Sequence, residues 1–349
     1  MAAGLLAVLA VWVLFARSGR SFDVAAFLAT FGRLNPWWLA ACVFFSYTTY
    51  VVRAFRWAVL LRPLRPKPRF WPLLTANMIG FTAVIALGRA GELVRPYLIA
   101  NRENVPFASQ VAAWVVERLY DSLVAMAAFG FALFYLQNTG FEGQATLGPG
   151  LTWALHAGGF VIGLLSAGCL AVLLAMKYRG EQIQRLILRG LRFLSVHRLS
   201  RVERVIEAFL EGVQSTKSQS ATARLIAYSV LEWLLIAACY ACVLRAFGGV
   251  VPISLTNVLI LMGFVSFGSV VQLPGVGGGA QVTAMLVLTE IFSVPIEIAT
   301  SLALVLWVMI FLAVVPVGVV LALREGLAWS RLGARLREAE ATSEGFPLP

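Results

Sequence analysis

The residues of this chain best suited to chemistry are charged side chains embedded in apolar sequence. From Thr82 to Ala100 it reads TAVIALGRAGELVRPYLIA, with Arg89, Glu92 and Arg95 set around Gly88 and Gly91. Further on, VVERLYDSLV places Glu117 and Asp121 one helical turn apart on one face, with Arg118 beside Glu117. An arginine fork can hold two oxygens of a phosphate or carboxylate at once. Neighbouring acids would keep such arginines paired while no ligand is bound, so the chemistry expected of this set is recognition of an anionic group. A second reading makes Glu117 or Asp121 a general base, but no nucleophile or metal set stands beside them. His156 and His197 have no partners at ligand spacing. Cys239 and Cys242 lie within the apolar run LLIAACYACVL and read as small packing residues. No metal site and no cofactor are expected.

The elements that must position these charges are membrane helices. The chain has 349 residues, 60% of them hydrophobic and 13% charged, far from the balance of a soluble domain. Its net charge of +11 has no soluble basic domain to carry it, so nucleic acid is not an expected partner, and the bases between apolar runs fit the positive-inside rule. Segments 2–17, 36–61, 107–137, 151–176, 221–244 and 296–323 read as six full spans. The first lacks the basic start and cleavage site of a signal peptide, so it is expected to be retained. Two further apolar regions, 70–101 and 254–292, are broken in the middle by GRAG and PGVGGG. Each is a re-entrant hairpin or a pair of short crossing helices, and counting each broken region once brings the total to eight. The fold class expected is therefore an all-α polytopic membrane protein.

Loop charges give the orientation. RPLRPKPR at 62–69 is basic without an acid, 177–204 is rich in bases, and the tail beyond Leu323 carries Arg324, Arg331, Arg335 and Arg337. All three are expected to be cytoplasmic, with both termini inside a bacterial-type inner (plasma) membrane. The loop 138–150 has no base and should face outward; Arg17, Arg20 and Arg33 run against this scheme. Residues 1–325 read as one transmembrane domain. It includes 181–215, where apolar residues recur at helical spacing between arginines, as in an amphipathic helix on the inner leaflet or packed beneath the bundle. Residues 326–349 read as a polar cytoplasmic tail.

The two broken regions match in order: a span, a Gly-Phe pair, an apolar arm, a glycine break, a second arm, a Val-Pro and a long span. In the orientation above they open from opposite sides, so 36–137 and 221–323 are expected to form an inverted repeat, a pattern found in transporters with a site near the midplane. Gly88 and Gly91 in one break, and Pro274, Gly275, Gly277, Gly278, Gly279 and Gln281 at the other, are the expected gate or turn residues. Glu92 is expected in the first turn of the arm that follows, where the helix dipole favours an acid. Glu117 lies about 15 Å into its span, and pairing with Arg89 or Arg95 would offset the cost of its burial. Alternatively, Arg95 and Arg102 anchor a short helix at the interface.

GRAGELVRPYLIA, then VVERLYD, then a PGVGGGAQ turn resembles the lysylphosphatidylglycerol synthase transmembrane-region family, also called the flippase-like domain family. The likeness covers nearly the whole chain, from LNPWWLA and VVRAFRW to the last helix. It implies movement of lipids between leaflets, such as aminoacylated phosphatidylglycerol, polyprenyl-linked sugars or hopanoid-type lipids. The family's second turn commonly carries an acid shortly after proline-glycine-glycine, where this chain has Gln281. The aminoacyl-transferase domain fused to some members does not occur in this sequence, so lipid synthesis is not expected.

The expectation is thus a non-enzymatic lipid flippase working by alternating access. Arg89, Glu92, Arg95, Glu117, Arg118 and Asp121 would be its substrate-binding residues and membrane lipid its partner, with lipid-synthesis enzymes as further candidates. An intramembrane lipid-modifying enzyme and a scaffold for lipid or glycolipid synthesis are the rival readings. GVGGGA at 275–280 fits a dinucleotide fingerprint only formally, since both flanks are membrane-length apolar segments rather than a βαβ unit. No Walker A motif occurs, so ATP is not expected as the direct energy source.

Overall fold

Two capping residues organise the start of the bundle. Asp23 accepts a hydrogen bond from the Ala26 N–H at 3.0 Å and starts α1 (Val24–Phe31). Asn35 accepts from the Trp37 N–H at 3.0 Å, with Pro36 in the first turn, and starts α2 (Pro36–Leu61). The computed structural model describes residues 22–139, 164–172, 218–269, 272–273 and 277–326, with isolated residues between 174 and 207. The spans expected at 2–17 and 151–176, the amphipathic stretch 181–215, the loop 140–150 and the tail beyond 326 lie wholly or mostly outside the described residues. The α1 helix was not anticipated.

After α2 come α3 (Phe70–Leu87), a 3₁₀ turn (Gly88–Leu93), α4 (Val94–Glu103) and α5 (Phe107–Thr139). Left-handed Asn104, φ 53°, ends α4 just before Pro106. A second run of helices follows. Ser218 caps α6 (Gln219–Ala246) and Ser254 caps α7 (Leu255–Gly268). A two-residue antiparallel ladder, β1 (Gln272–Leu273) with β2 (Gly277–Gly278), pairs Gln272 with Gly278 and Leu273 with Gly277. Then come α8 (Gly279–Leu286) with a π-helical turn (Val287–Ile291), α9 (Ile296–Trp307) with another (Val308–Leu312), and α10 (Val315–Arg324). The carbonyl of Ala313, at the break before α10, accepts from the Tyr47 hydroxyl at 2.8 Å, so the irregular backbone stays satisfied away from water.

Among the described residues, four helices are long and apolar enough to cross a membrane: Pro36–Leu61, Phe70–Leu87, Gln219–Ala246 and Ile296–Arg324. Phe70–Leu87, expected as one arm of a broken hairpin, is by itself long enough. The other arm, α4, has ten residues and rises only about 15 Å. The 33-residue α5 rises about 50 Å, more than the roughly 30 Å hydrocarbon layer needs.

The two first helices, α2 and α6, share the largest contact in the bundle and run antiparallel. The Asn35 N–H donates to the Ala246 carbonyl at 3.1 Å, Cys239 Sγ lies 3.5 Å from the Cys42 carbonyl, and Arg53 meets Glu232. The other contacts between units are reciprocal. The last long helix of the first unit, α5, packs on α7, the first arm of the second hairpin. In turn α10, closing the second unit, packs on α3, the first arm of the first hairpin. Each contact includes a glycine whose missing side chain leaves room for the neighbour: Gly263 under the Phe129 ring and Gly318 against Thr82 and Met78. The two breaks also touch, the 3₁₀ turn against β1.

Two apolar cores follow. One gathers the C-terminal half of α2 with α3, α4, the start of α5 and part of α10, around Trp57, Leu73, Ile79 and Ile99. The other gathers α6 to α9 around Leu244, Ile260, Leu261 and Leu302. The polar site lies in the region of the first.

Candidate functional site

Three glycines build the first hairpin. Gly88 takes φ 64° as α3 ends, a conformation that costs glycine little. Gly91 lies so close to the backbone of Ala83 and Val84 that a Cβ there would overlap it. Gly80 does the same against Arg95: an added Cβ would stand 2.6 Å from the Arg95 Cβ. The turn therefore folds flat onto α3 and brings α4 alongside it. Arg95, in the first turn of α4, is aimed at α5. Glu92 is placed differently from expectation. It belongs to the 3₁₀ turn and α4 begins at Val94, because the close approach at Gly91 tightens the chain before the helix can start.

Arg95 is 4% exposed. Its guanidinium donates to Glu117 through both Nη atoms, the Nη1 bond at 3.2 Å, and to Asn77 Oδ1 at 3.0 Å. Asn77 is held in turn by its own donation to the Leu73 carbonyl at 2.8 Å. The pairing expected between Glu117 and an arginine of the first break is thus made by Arg95. The Arg89 side chain, Pro274 and Gly275 lie outside the described residues.

The centre of the site is a residue that sequence reasoning passed over. Arg56, on α2, is wholly enclosed. It binds both Glu117 and Asp121, lies 3.0 Å from Glu232 Oε2 and donates to Ser229 Oγ at 2.9 Å. Arg53, one turn earlier, donates to Glu232 at 2.7 Å. Arg118 approaches Asp121 at 2.9 Å and Glu117 at 3.8 Å. Four arginines from α2, α4 and α5 thus converge on three carboxylates from α5 and α6. Arg53, Arg56 and Glu232 were signalled by their position inside apolar spans, where charge is rarely placed without purpose.

Aromatic rings wall this cluster. Arg53 lies over the Phe81 ring at 4.0 Å and Arg95 over Trp57 at 4.3 Å, favourable placements for cations. Trp57 is fixed by donating to Gln110 at 3.0 Å. Arg56 lies five residues before the end of α2, about 8 Å along it, so the cluster sits off centre, toward the 62–69 loop. A second polar group closes that end. Buried Glu103 pairs with Arg65 and Arg69 at 2.6 and 3.2 Å. Arg102 donates to the Pro72 carbonyl at 2.7 Å and Thr75 at 2.8 Å, and pairs with Glu325 beyond α10.

At the second break Gly278 has φ 116°, and its N–H donates to Gln281 Oε1 at 2.6 Å. Gln281 thus ties the glycine turn to the start of α8. Gly279 is buried against α7, close to Gly268. The strand β1 of this break lies against the first break. Among the described residues no group of three or more histidine, cysteine or carboxylate side chains is placed to hold a metal ion.

A family profile described as "Lysylphosphatidylglycerol synthase TM region" matches residues 1–324. A curated protein of Haloferax volcanii, "Glycosyltransferase AglD", is 29% identical over 119 residues, which is 34% of this chain and 19% of that protein. The matched stretch therefore spans about a fifth of that relative's length. No solved structure matches.

Proposed function

This chain belongs to the lysylphosphatidylglycerol synthase TM region family, an integral membrane family, and we propose that it moves a lipid between membrane leaflets by alternating access. The observation that carries this reading is the enclosed cluster of Arg53, Arg56, Arg95 and Arg118 with Glu117, Asp121 and Glu232, built inside apolar helices. Such a cluster is costly where packing alone is needed, since apolar side chains of similar volume would serve a fold as well. It suits a site that must exchange partners. A phosphodiester headgroup entering hydrocarbon loses its water and needs charged partners in return. Arg89 and Arg95 sit at the first break, and Glu117 holds Arg95 when no lipid is bound.

The packing supports an inverted relation between 36–137 and 221–323. The antiparallel α2–α6 pair, the reciprocal α5–α7 and α10–α3 contacts and the meeting of the two breaks fit a pair of units related across the membrane plane, which would give equivalent gates on either side. In this reading the 62–69 loop and the Arg102–Glu325 pair face the cytoplasm, where loop charge places them.

The likeness of one stretch to a protein named a glycosyltransferase gives the enzyme reading a specific basis, with Glu117 or Asp121 as base. One experiment separates the readings: the purified chain is reconstituted with tail-labelled phospholipids, and their exchange between leaflets is followed. Exchange by the chain alone with unchanged lipid masses is expected. A changed lipid mass would make it an enzyme, and no exchange without added partner proteins would make it a scaffold. Wild-type exchange in both Arg89→Ala and Arg95→Ala would remove the headgroup role of these arginines.

A further inference from the structure

We infer that Arg118 is the first contact for the lipid headgroup, and that the cluster selects a headgroup bearing a single negative charge; this rests on the lipid-transport reading above. Within the cluster, three arginines are committed. Arg56 is wholly enclosed among three carboxylates, Arg95 is held by Glu117 and Asn77, and Arg53 by Glu232 under the Phe81 ring. Three carboxylates balance these three cations. Arg118 is the fourth, and its charge is in excess.

Arg118 is also the member that reaches outward. Its side chain is 39% exposed, against 1% for Arg56 and 5% for Arg95. Its exposure lies toward the end of the fork, since Nε and Nη2 are themselves buried. Nη2 pairs with Asp121 at 2.9 Å and faces Glu117 at 3.8 Å, which leaves Nη1 as the guanidinium nitrogen able to meet a phosphate oxygen. A net charge held in a low-dielectric bundle is unfavourable, and a ligand carrying one negative charge cancels it. A phosphodiester carries one. A phosphomonoester, with about two near neutral pH, would over-neutralise the cluster and bring an unpaired charge of its own.

The test is native mass spectrometry of the purified full chain in nanodiscs holding equal phosphatidylglycerol and phosphatidylcholine. Wild-type protein is expected to retain phosphatidylglycerol selectively, and Arg118→Gln to lose about tenfold of that preference. Arg118→Lys, which keeps the charge without the fork, should fall between them and carries the test should the glutamine variant not fold. In discs where phosphatidic acid replaces phosphatidylglycerol, little selective retention is expected. Unchanged phosphatidylglycerol preference in the Arg118 variants would overturn the contact, and equal retention of phosphatidic acid would overturn the charge rule. Arg118-dependent retention without leaflet exchange would instead sink the transport reading and leave the binding site standing.

Discussion

Arg95 stands with its Cβ 2.6 Å from the point where a side chain on Gly80 would begin. The absence of one methyl group on α3 therefore sets how near α4 can lie, and so whether the Arg95 guanidinium reaches Glu117. Alanine normally favours a helix over glycine by up to about 1 kcal/mol. Here the sign should reverse. Gly80→Ala is expected to lower the thermal midpoint in detergent, at an overpacking cost of about 1–3 kcal/mol, and to reduce lipid exchange with it. A midpoint raised above wild type would mean that the contact yields without strain.

Arg56 and Arg53 should differ sharply. Removing Arg56 leaves Asp121 and Glu117 short of a partner in an enclosed site, a loss of about 3–5 kcal/mol. Arg56→Met is expected to abolish monodisperse protein on size exclusion. Arg53→Gln leaves Glu232 with Arg56 and should cost only about 1 kcal/mol. Equal behaviour of the two variants would contradict the central place given to Arg56.

The Arg102–Glu325 pair joins the first hairpin to the end of α10, and Glu325 is about one-third exposed. A double-mutant cycle on thermal stability should give a coupling of about 1 kcal/mol or less. Arg102→Glu with Glu325→Arg is expected to recover only part of the loss from Arg102→Glu. The exchanged pair cannot restore the bonds to Pro72 and Thr75. Full recovery would show that those bonds contribute nothing.

Gly278, at φ 116°, occupies backbone space that a β-branched residue reaches only under strain. Gly278→Val is expected to insert and remain folded but to lose lipid exchange, read beside membrane abundance. Wild-type exchange would reduce the turn to a connector.

Orientation can be read in intact cells. Single cysteines at 140–148 are expected to react with an impermeant reagent, and those at 183–210 to be protected. Labelling of the second set would invert the topology and the assignment of the 62–69 loop to the cytoplasm.

Much of this was legible in the sequence, for local reasons. Asn35-Pro36 and the length of the apolar run mark α2 at its observed bounds, and the glycines of GRAG mark a turn. The one-turn spacing of Glu117 and Asp121 places both on a face that must find cations. Arg53 and Arg56 escaped notice because they stand shortly before a basic loop and read as more of its positive charge. Their partners lie 61 to 179 residues away in sequence, a relationship set by the antiparallel packing of α2 on α6 and by nothing local. Glu232, a lone acid in an apolar run, was visible, but only the fold shows which arginines it serves. The 3₁₀ form of the first break arose from the approach of Gly91 to Ala83 and Val84, and displaced Glu92 from a helix start to a turn.

The two π-helical turns, Val287–Ile291 and Val308–Leu312, both fall in the second unit, together with the β-paired glycine turn. The buried ion pairs instead involve α2, α4, α5 and α6, with Arg56 reaching both Glu117 and Glu232. A π-helical turn holds more residues per turn than an α-helix, and both such turns follow directly on α8 and α9. Among the described residues, the widened helical hydrogen bonding on α8 and α9 thus lies apart from the buried ion pairs, so the two kinds of departure from a plain apolar helix bundle occupy different helices.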